Sequence, residues 1–192
     1  MARVAAIIPA RGGSQRLPRK NIEPVLGAPM VSWSVAACRE SAYVTDVYVS
    51  TEDAEIAAVA TASGATVIER PPELAHHAVF KMDAIVHALD TLEKRGERFE
   101  LVISVQANSP ELRGAMLDEG IDKLRAHGLW EVFSVDARLV QNGAFRIMRA
   151  EVVRQRALSV HCGVVIADVV DVHTAADVTL VEGRLRARGA RT

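Results

Sequence analysis

VAAIIPARGGSQRLPRKN, residues 4–21, is the stretch from which the architecture of this chain can be inferred. A short apolar run that contains β-branched residues and stops at Pro9 is typical of a buried strand, and the Gly12-Gly13 pair after it is typical of a turn. Glycines leave backbone N–H groups free to face an anion, and four nearby cations can compensate phosphate charge: Arg11, Arg16, Arg19 and Lys20. The stretch therefore predicts a strand that leads into a phosphate-binding loop, although a basic, solvated surface turn would carry the same charges.

Hydrophobic patterning predicts alternating strands and helices along the rest of the chain. Helical spacing of apolar residues covers residues 30–39, 79–94 and 112–127, whereas strand-like runs cover residues 44–50, 65–68, 101–106, 131–136, 141–148 and 159–166. A hydroxyl followed by acids at residues 51–57 predicts a further helix start, which gives a β-α-β-α-β order in the first part of the chain. We therefore expect one domain over residues 1–192 with an α/β fold, a Rossmann-like, mostly parallel sheet with helices on both faces.

Composition and charge exclude several classes of protein. The chain has 192 residues, of which 49% are hydrophobic but only 4% aromatic, so we expect a core of Ala, Val, Leu and Ile. Its formal net charge of −1 argues against nucleic acid as the main partner, because phosphate-backbone binding usually leaves a basic excess. Two cysteines cannot form a disulfide framework, and no apolar run approaches membrane-spanning length. We expect a soluble, cytoplasmic protein that binds neither nucleic acid nor membrane.

The predicted strand at residues 101–106 ends in polar residues. Gln106 and Asn108 lie where that strand would reach the carboxyl edge of the sheet, which is where open α/β sheets bind ligands. Their amide groups could bind ribose or acceptor hydroxyls. Asn108 or Ser109 could also cap the helix that follows, and this structural role is compatible with the binding role.

A second candidate site lies near the end of the chain, at Asp171 and His173. On a strand these residues, at i and i+2, face the same side, so two ligand-type side chains would converge there. A strand end whose acid and imidazole are merely solvated is the alternative. Thr174 and Asp177 then fit the N-cap and the first turn of a terminal helix.

Four arginines fall within eleven residues before that site: Arg146, Arg149, Arg154 and Arg156. Their spacing allows two interpretations, a solvated helix face or a patch that binds an acidic group. The sequence alone leaves both open.

Residues 7–21, followed by GAPMVSW at residues 27–33, closely resemble the nucleotide-binding signature of the acylneuraminate cytidylyltransferase family, which makes CMP-activated sialic acids and related acids. The loop is not a Walker motif, because no Gly-Lys-Ser/Thr follows it. Further likeness is found in residues 83–89, 106–113, 141–148 and 171–177, so the resemblance extends over almost the whole chain. It implies the fold of nucleotide-diphospho-sugar transferases, CTP as a substrate and Mg²⁺ as the cofactor.

The resemblance also implies roles for individual residues. The catalytic residues would be Arg11, Arg16, Lys20 and Asp171, and the nucleotide would be bound by Ala10, Arg11, Gly12, Gly13, Asn21, Arg70, Lys81 and Gln106. The acceptor would be bound by Asn108, Arg113 and Arg146, and the metal by Asp171 and His173. For Arg70, which precedes two prolines, an exposed arginine in a rigid loop is the alternative.

The chain departs from the family pattern at several places. Gln15 stands where the family has a lysine, Lys81 where it often has a small hydroxyl residue, and His173 where it has a second metal-binding aspartate. Magnesium prefers oxygen ligands, so Asp171 alone could hold Mg-CTP while His173 acts through water or favours another metal. Only residues 137–140 separate the strand ending at Asp136 from the next one, where the sialic-acid enzymes carry a long excursion that dimerises and covers the sugar.

The predicted reaction is attack by an acceptor oxygen on the α-phosphorus of CTP, with release of pyrophosphate. Such a transfer depends on positioning and charge neutralisation more than on covalent help from the protein. The sequence offers no convincing general base, and an ionised phosphonate oxygen would not need one. Together with the missing sugar cover, this favours a small acidic acceptor such as phosphonoformate. A CMP-sugar-acid synthetase of the sialic acid or Kdo type and a non-catalytic CTP-binding module are the alternatives, and a homodimer is left open.

Overall fold

The structure, a computed structural model, describes residues 2–76 and 78–189. Its strands are β1 (Val4–Pro9), β2 (Pro24–Val25), β3 (Ala28–Pro29), β4 (Asp46–Thr51), β5 (Thr66–Glu69), β6 (Leu101–Val105), β7 (Glu131–Val135), β8 (Gln141–Arg149) and β9 (Cys162–Ile166). Its α-helices are α1 (Met30–Glu40), α2 (Ala54–Ala62), α3 (Lys81–Lys94), α4 (Gly114–Ala126) and α5 (Ala175–Ala187). The expected β-α-β-α-β order in the first part of the chain is confirmed.

Seven strands form one sheet in the order β5-β4-β1-β6-β8-β7-β9, while β2 and β3 form a separate short hairpin. The strands β5, β4, β1 and β6 are parallel to one another. Strand β8 is antiparallel to both of its neighbours, and β7 and β9 are again parallel. The expected mostly parallel sheet is therefore confirmed, with one antiparallel strand near its centre.

Helices cover both faces of the sheet. The β1 residues Val4, Ala6 and Ile8 belong to a core cluster that includes side chains of α1, α2 and α4. Ala5 and Ile7 point the other way, into a second cluster with α3. Since successive side chains of a strand alternate between faces, a central strand covered on both sides must be apolar throughout, as β1 is.

Two interpretations of residues 146–173 that the sequence allowed are wrong. Residues 169–173 do not form a strand, since the sheet contains no strand after β9 in the described part of the chain. The N–H of Val172 instead donates to the carbonyl of Asn108 (2.9 Å). The arginines do not form a helix face either. Arg146 and Arg149 lie on β8, whereas Arg154 and Arg156 lie in the turns that follow it.

None of the helices within residues 2–76 and 78–189 is both long and apolar enough to cross a membrane.

Candidate nucleotide-binding site

A cleft of about 270 Å³ lies at the carboxyl ends of β1 and β6, the neighbouring parallel strands at the centre of the sheet. Seven of the residues predicted from the sequence line it: Arg11, Lys20, Asn21, Arg70, Lys81, Gln106 and Asn108. They come from the loop after β1, the connection after β5, the start of α3 and the turn after β6. The fold therefore brings together residues that are almost a hundred positions apart in the sequence.

The loop after β1 is held in shape by two side chains. Asn21 is buried, and its amide donates to the carbonyl of Arg11 (2.8 Å). Gly12 donates its N–H to the Glu52 carboxylate (2.8 Å), and a Cβ at Gly12 would collide with the side chain of Asp53. Gly12 is therefore required by the close approach of the α2 N-terminus, whereas a Cβ at Gly13 would meet no atom within 4 Å.

Ala10 lies beneath this loop. It is fully buried and donates its N–H to the carbonyl of Ser50 (3.0 Å), so it anchors the loop to the end of β4.

Among the loop cations, Lys20 lies near enough to Asp171 to feel the charge of its carboxylate. Lys20 is half-buried, and this burial lowers the pKa of its ammonium below the usual value. The positive charges of Arg16 and Arg11 act in the same direction, and the negative charge of Asp171 opposes them. Burial disfavours the charged form of the Lys20 ammonium, and an anion bound beside it would stabilise that form again. The position of Lys20 therefore suits the binding of a phosphate chain.

Asp171 is held at the edge of the cleft by Asn108 and His173. The buried Asn108 amide donates to the Asp171 carboxylate and to the carbonyl of Val172, the latter at 2.7 Å. His173 Nε2 lies 2.8 Å from the other carboxylate oxygen of Asp171. Asn108 thus fixes the segment that carries the acid and does not cap α4, whose N-cap residue is Arg113 without a side-chain cap.

His173 uses both of its ring nitrogens. The Arg16 guanidinium lies 2.9 Å from Nδ1 and can only donate, so Nδ1 accepts and the proton resides on Nε2, facing Asp171. His173 therefore connects Asp171 to the loop. As a metal ligand it would have to give up one of these contacts, so that role stays a prediction.

Arg70 lies in the wall of the cleft, and only 4% of its surface is exposed. Its guanidinium donates to the hydroxyl of Ser50 (3.2 Å) and to the carbonyl of Ser50 (2.5 Å). Burial lowers the pKa of Arg70, the charge of Glu52 opposes this change, and Arg11 adds to it. The alternative of an exposed arginine in a rigid loop is therefore wrong.

Two predicted acceptor residues lie outside the cleft. Arg113 lines a separate groove with Trp33 and Glu40, so the structure does not bring it to the cleft. Arg146 lines an adjoining cavity and forms an ion pair with the buried Glu131 (2.5 Å). The other three arginines of this group are also engaged. Arg149 donates to the carbonyl of Leu129 (2.9 Å), Arg154 pairs with Asp90 and Glu93, and Arg156 pairs with Asp83.

Sequence reasoning missed the role of Glu111. This carboxylate is 1% exposed and accepts the N–H of Val170 (3.0 Å). It lies between Arg184 of α5 (3.5 Å) and Arg188, the residue that follows α5 (3.2 Å). It therefore docks the segment that carries Asp171. The available signal was an acid between Pro110 and Leu112, together with two arginines at i and i+4 at the end of the last helix.

Glu52 was also missed as a contact of the loop. It follows the hydroxyl of Thr51 at the end of β4, and its sequence position indicates only a helix start. Its contact with Gly12 depends on the parallel pairing of β1 with β4, which places the two strand ends side by side.

Comparisons with known proteins agree with this geometry. A family model described as "Cytidylyltransferase" matches residues 5–161. N-acylneuraminate cytidylyltransferase A of Danio rerio is 35% identical over 135 residues, which are 70% of this chain and 30% of that protein. Pseudaminic acid cytidylyltransferase of Campylobacter jejuni is 33% identical over 118 residues, which are 61% of this chain and 51% of that protein. The chain thus spans between about a third and a half of the length of these relatives.

Among solved structures, CMP:2-keto-3-deoxy-manno-octonic acid synthetase complexed with CTP superposes with a TM-score of 0.77, covering 97% of this chain and 100% of that one at 17% identity. A nucleotidyl transferase from Methanothermobacter thermautotroptrophicus superposes with a TM-score of 0.75 at 13% identity, covering 97% and 99% of the two chains. These likenesses confirm the expected nucleotide-diphospho-sugar transferase fold. Because the family model matches well over half of its residues, the chain belongs to the cytidylyltransferase family.

Proposed function

We propose that this chain transfers CMP from CTP to an acidic acceptor and releases pyrophosphate. The observation that carries the proposal is the convergence of Arg11, Lys20 and Arg70 on one cleft, with Asp171 held at its edge by Asn108. Within a member of the cytidylyltransferase family, this arrangement supports binding of a nucleoside triphosphate.

In the proposed complex the triphosphate lies along the loop after β1. Arg11, Arg16 and Lys20 neutralise its charge, and charge-assisted hydrogen bonds from a guanidinium or ammonium are stronger than neutral ones. Arg70 and Gln106 line the same cleft, and we assign them to binding of the base or ribose. Such a site accelerates the transfer by fixing the acceptor oxygen in line with the leaving pyrophosphate.

The residues present fit a single magnesium ion held mainly by the substrate. Asp171 supplies a hard oxygen donor, and its two carboxylate oxygens keep lone pairs beyond those used by Asn108 and His173. Magnesium is commonly bound through one or two carboxylates together with substrate phosphates and waters. When bound, the ion would neutralise charge on the phosphates as pyrophosphate leaves. The described residues contain no group of three His, Cys, Asp or Glu side chains that could hold a metal without the substrate.

An acidic sugar is the acceptor class that the named relatives favour, since they are described as acting on acylneuraminate and pseudaminic acid. The short turn between β7 and β8 is the observation that favours a smaller acceptor. Asp136 accepts N–H groups from Arg138 (2.8 Å) and Val140 (2.9 Å), which closes this turn tightly. A phosphonate such as phosphonoformate therefore stays in the proposal as the second acceptor candidate.

The test is pyrophosphate release from CTP and Mg²⁺ with N-acetylneuraminate, Kdo and phosphonoformate as separate acceptors. We expect release with one of these acids, and we expect Asp171→Asn to lower kcat by about 100-fold or more, because the charge that faces the metal and the phosphates is lost. Asp168→Asn, at an exposed acid three residues earlier, is the matched control and should keep full activity.

The possible outcomes separate the alternatives. CTP binding without pyrophosphate release from any acceptor would indicate a non-catalytic CTP-binding module, and the replacement of the family's second aspartate by His173 is the feature that favours this second candidate. Equal activity of Asp171→Asn and the wild type would contradict the assigned role of Asp171. Activity that persists in excess chelator would contradict the magnesium requirement.

A further inference from the structure

A second cavity, of about 240 Å³, adjoins the nucleotide cleft. Phe80 and Lys81 line both spaces, so the start of α3 forms the boundary between them. The rest of the second cavity is lined by residues of β6, β8 and the turn after β8, among them Ser104, Arg146 and Leu158.

Ser104 contributes an unsatisfied polar group to this cavity. It lies on β6 directly opposite Arg146 of β8 and is fully buried. Its hydroxyl finds no hydrogen-bond partner in the described part of the chain. Buried hydroxyls are nearly always paired, because an unpaired one has lost its water without compensation, so a lone hydroxyl at a cavity wall points to a missing ligand.

Among the cations that line the cavity, Lys81 is the one without an ion pair in the described part of the chain. The charge of Arg146 is neutralised by Glu131, a buried partner at 2.5 Å, and Arg156 forms an exposed ion pair with Asp83 at 3.1 Å. Lys81 donates to the carbonyl of Gly143 (3.3 Å). The charge of Asp171 acts on Lys81, but among residues 2–76 and 78–189 Lys81 forms no ion pair with a carboxylate. The junction of the two spaces therefore attracts a negative charge.

Side chains from both spaces approach the backbone closely at the junction. Gly143 has a positive φ of 72°, and a Cβ there would lie 3.2 Å from the Gln106 side-chain oxygen and 3.9 Å from Lys81 Nζ. That Gln106 oxygen is buried and likewise has no partner among the described residues. A ligand in the second cavity would thus meet polar groups at its floor and at its entrance.

Resting on the proposed function, we propose that this cavity is the acceptor subsite and that Lys81 and Ser104 determine its specificity. The ligand class is a small hydroxylated acid. Its anionic group binds the Lys81 ammonium, a hydroxyl or carbonyl oxygen pairs with Ser104, and its carbon skeleton packs against Phe80 and Leu158. Arg113, which lies in a different groove, takes no part.

The first test measures whether the cavity prefers anions, and it needs neither CTP nor catalysis. Leu158 is 47% exposed at the cavity rim, so Leu158→Cys places an accessible thiol there, in a Cys162→Ser background. The buried Cys38 does not interfere, because burial raises the pKa of its thiol to about 12. The rates of alkylation by iodoacetate and iodoacetamide are compared at low ionic strength. Both reagents attack the same thiolate, so their rate ratio reports local potential and not thiol pKa.

We expect Lys81→Met to lower the iodoacetate-to-iodoacetamide ratio at the introduced thiol by about threefold or more, since an unscreened neighbouring cation raises the local anion concentration. Lys94→Met, at the other end of the same helix, is the matched control and should leave the ratio unchanged. The native Cys162 in the otherwise unaltered chain is the second control, and Lys81→Met should not change its ratio. If Lys81→Met leaves the ratio at the introduced thiol unchanged, the proposal is overturned.

The second test distinguishes an effect on acceptor binding from an effect on CTP binding. With the acid of the panel that supports turnover, we expect Ser104→Val to raise the acceptor KM by about tenfold, the scale of one lost hydrogen bond and a filled cavity, with the KM for CTP within about twofold. Equal changes in both KM values, or no change in either, overturn the proposal. If no acid supports turnover, the proposed function fails, while the alkylation ratio still decides whether the cavity is an anion site.

Discussion

Lys20 gives the site a pH dependence that can be worked out from its surroundings. Burial lowers its pKa below the usual lysine value, and Arg16 and Arg11 act in the same direction. In the proposed complex the ammonium form of Lys20 binds the triphosphate, so the free protein would lose this binding charge at a lower pH than an exposed lysine would. Bound nucleotide adds negative charge and raises the pKa again, which means that CTP binding takes up a proton in this pH range.

We therefore expect the KM for CTP to rise as the pH increases through the pKa of Lys20, by up to about tenfold per pH unit if the neutral amine does not bind. Lys20→Arg should remove the rise, because a guanidinium stays charged over the whole range. The measurement is the KM for CTP against pH in both proteins. Lys94→Arg makes the same exchange far from the cleft and should retain the wild-type profile, whereas identical profiles for Lys20→Arg and the wild type would exclude Lys20 as the titrating group.

At the level of elements, the position of residues 169–173 is fixed by contacts with neighbouring side chains and not by pairing in the sheet. Glu111 holds it through the N–H of Val170, and Asn108 holds it on both sides of Val172. The helix that follows is fixed by a capping box in which Thr174 and Asp177 bond each other's backbone N–H groups, as the sequence predicted. The position of Asp171 is thus set by one buried acid, one buried amide and a helix start.

We expect Glu111→Gln to lower the free energy of unfolding by about 1–3 kcal/mol, because it leaves Arg184 and Arg188 without their shared anion. It should also raise the Mg²⁺ concentration needed for half-maximal activity, since Asp171 is then less firmly placed. Urea unfolding and a magnesium titration measure the two effects. Glu119→Gln removes an exposed ion pair with Lys123 and should change stability by no more than about 0.5 kcal/mol. Equal stability of both variants would rule out a docking role for Glu111.

At the level of the whole molecule, much of the fold could be predicted because its signals are local. The apolar run of β1, the glycines after it and the helical spacing of α3 depend only on neighbouring residues. The position of the cleft could be predicted because the carboxyl ends of parallel strands in an α/β sheet meet at one edge, where ligands bind. What could not be predicted depends on packing between distant elements. Arg146 pairs with Glu131 because β8 lies beside β7, and Arg113 points into another groove because of the way α4 begins.

The same dependence on distant elements predicts how the nucleotide acts on stability. The cleft joins the β1 loop, Arg70 after β5, the start of α3 and the turn after β6, so a ligand that bridges them binds the folded chain and not the unfolded one. At 100 times its Kd, CTP with Mg²⁺ should raise the free energy of unfolding by about 2.7 kcal/mol. For a chain of this size that corresponds to a rise in Tm of about 5–11 °C.

The measurement is thermal unfolding with and without Mg-CTP, in the wild type and in Arg70→Met. Arg70 lies in the cleft wall and donates to Ser50, so its variant is compared by the shift that CTP causes and not by its own Tm. We expect a clearly smaller shift in Arg70→Met at the same CTP concentration, because one cationic contact to the nucleotide is missing. Arg39→Met, at an exposed arginine of α1 that bonds the carbonyl of Gly64, should show the full shift. If Arg70→Met and Arg39→Met are stabilised equally, the nucleotide binds elsewhere on the molecule.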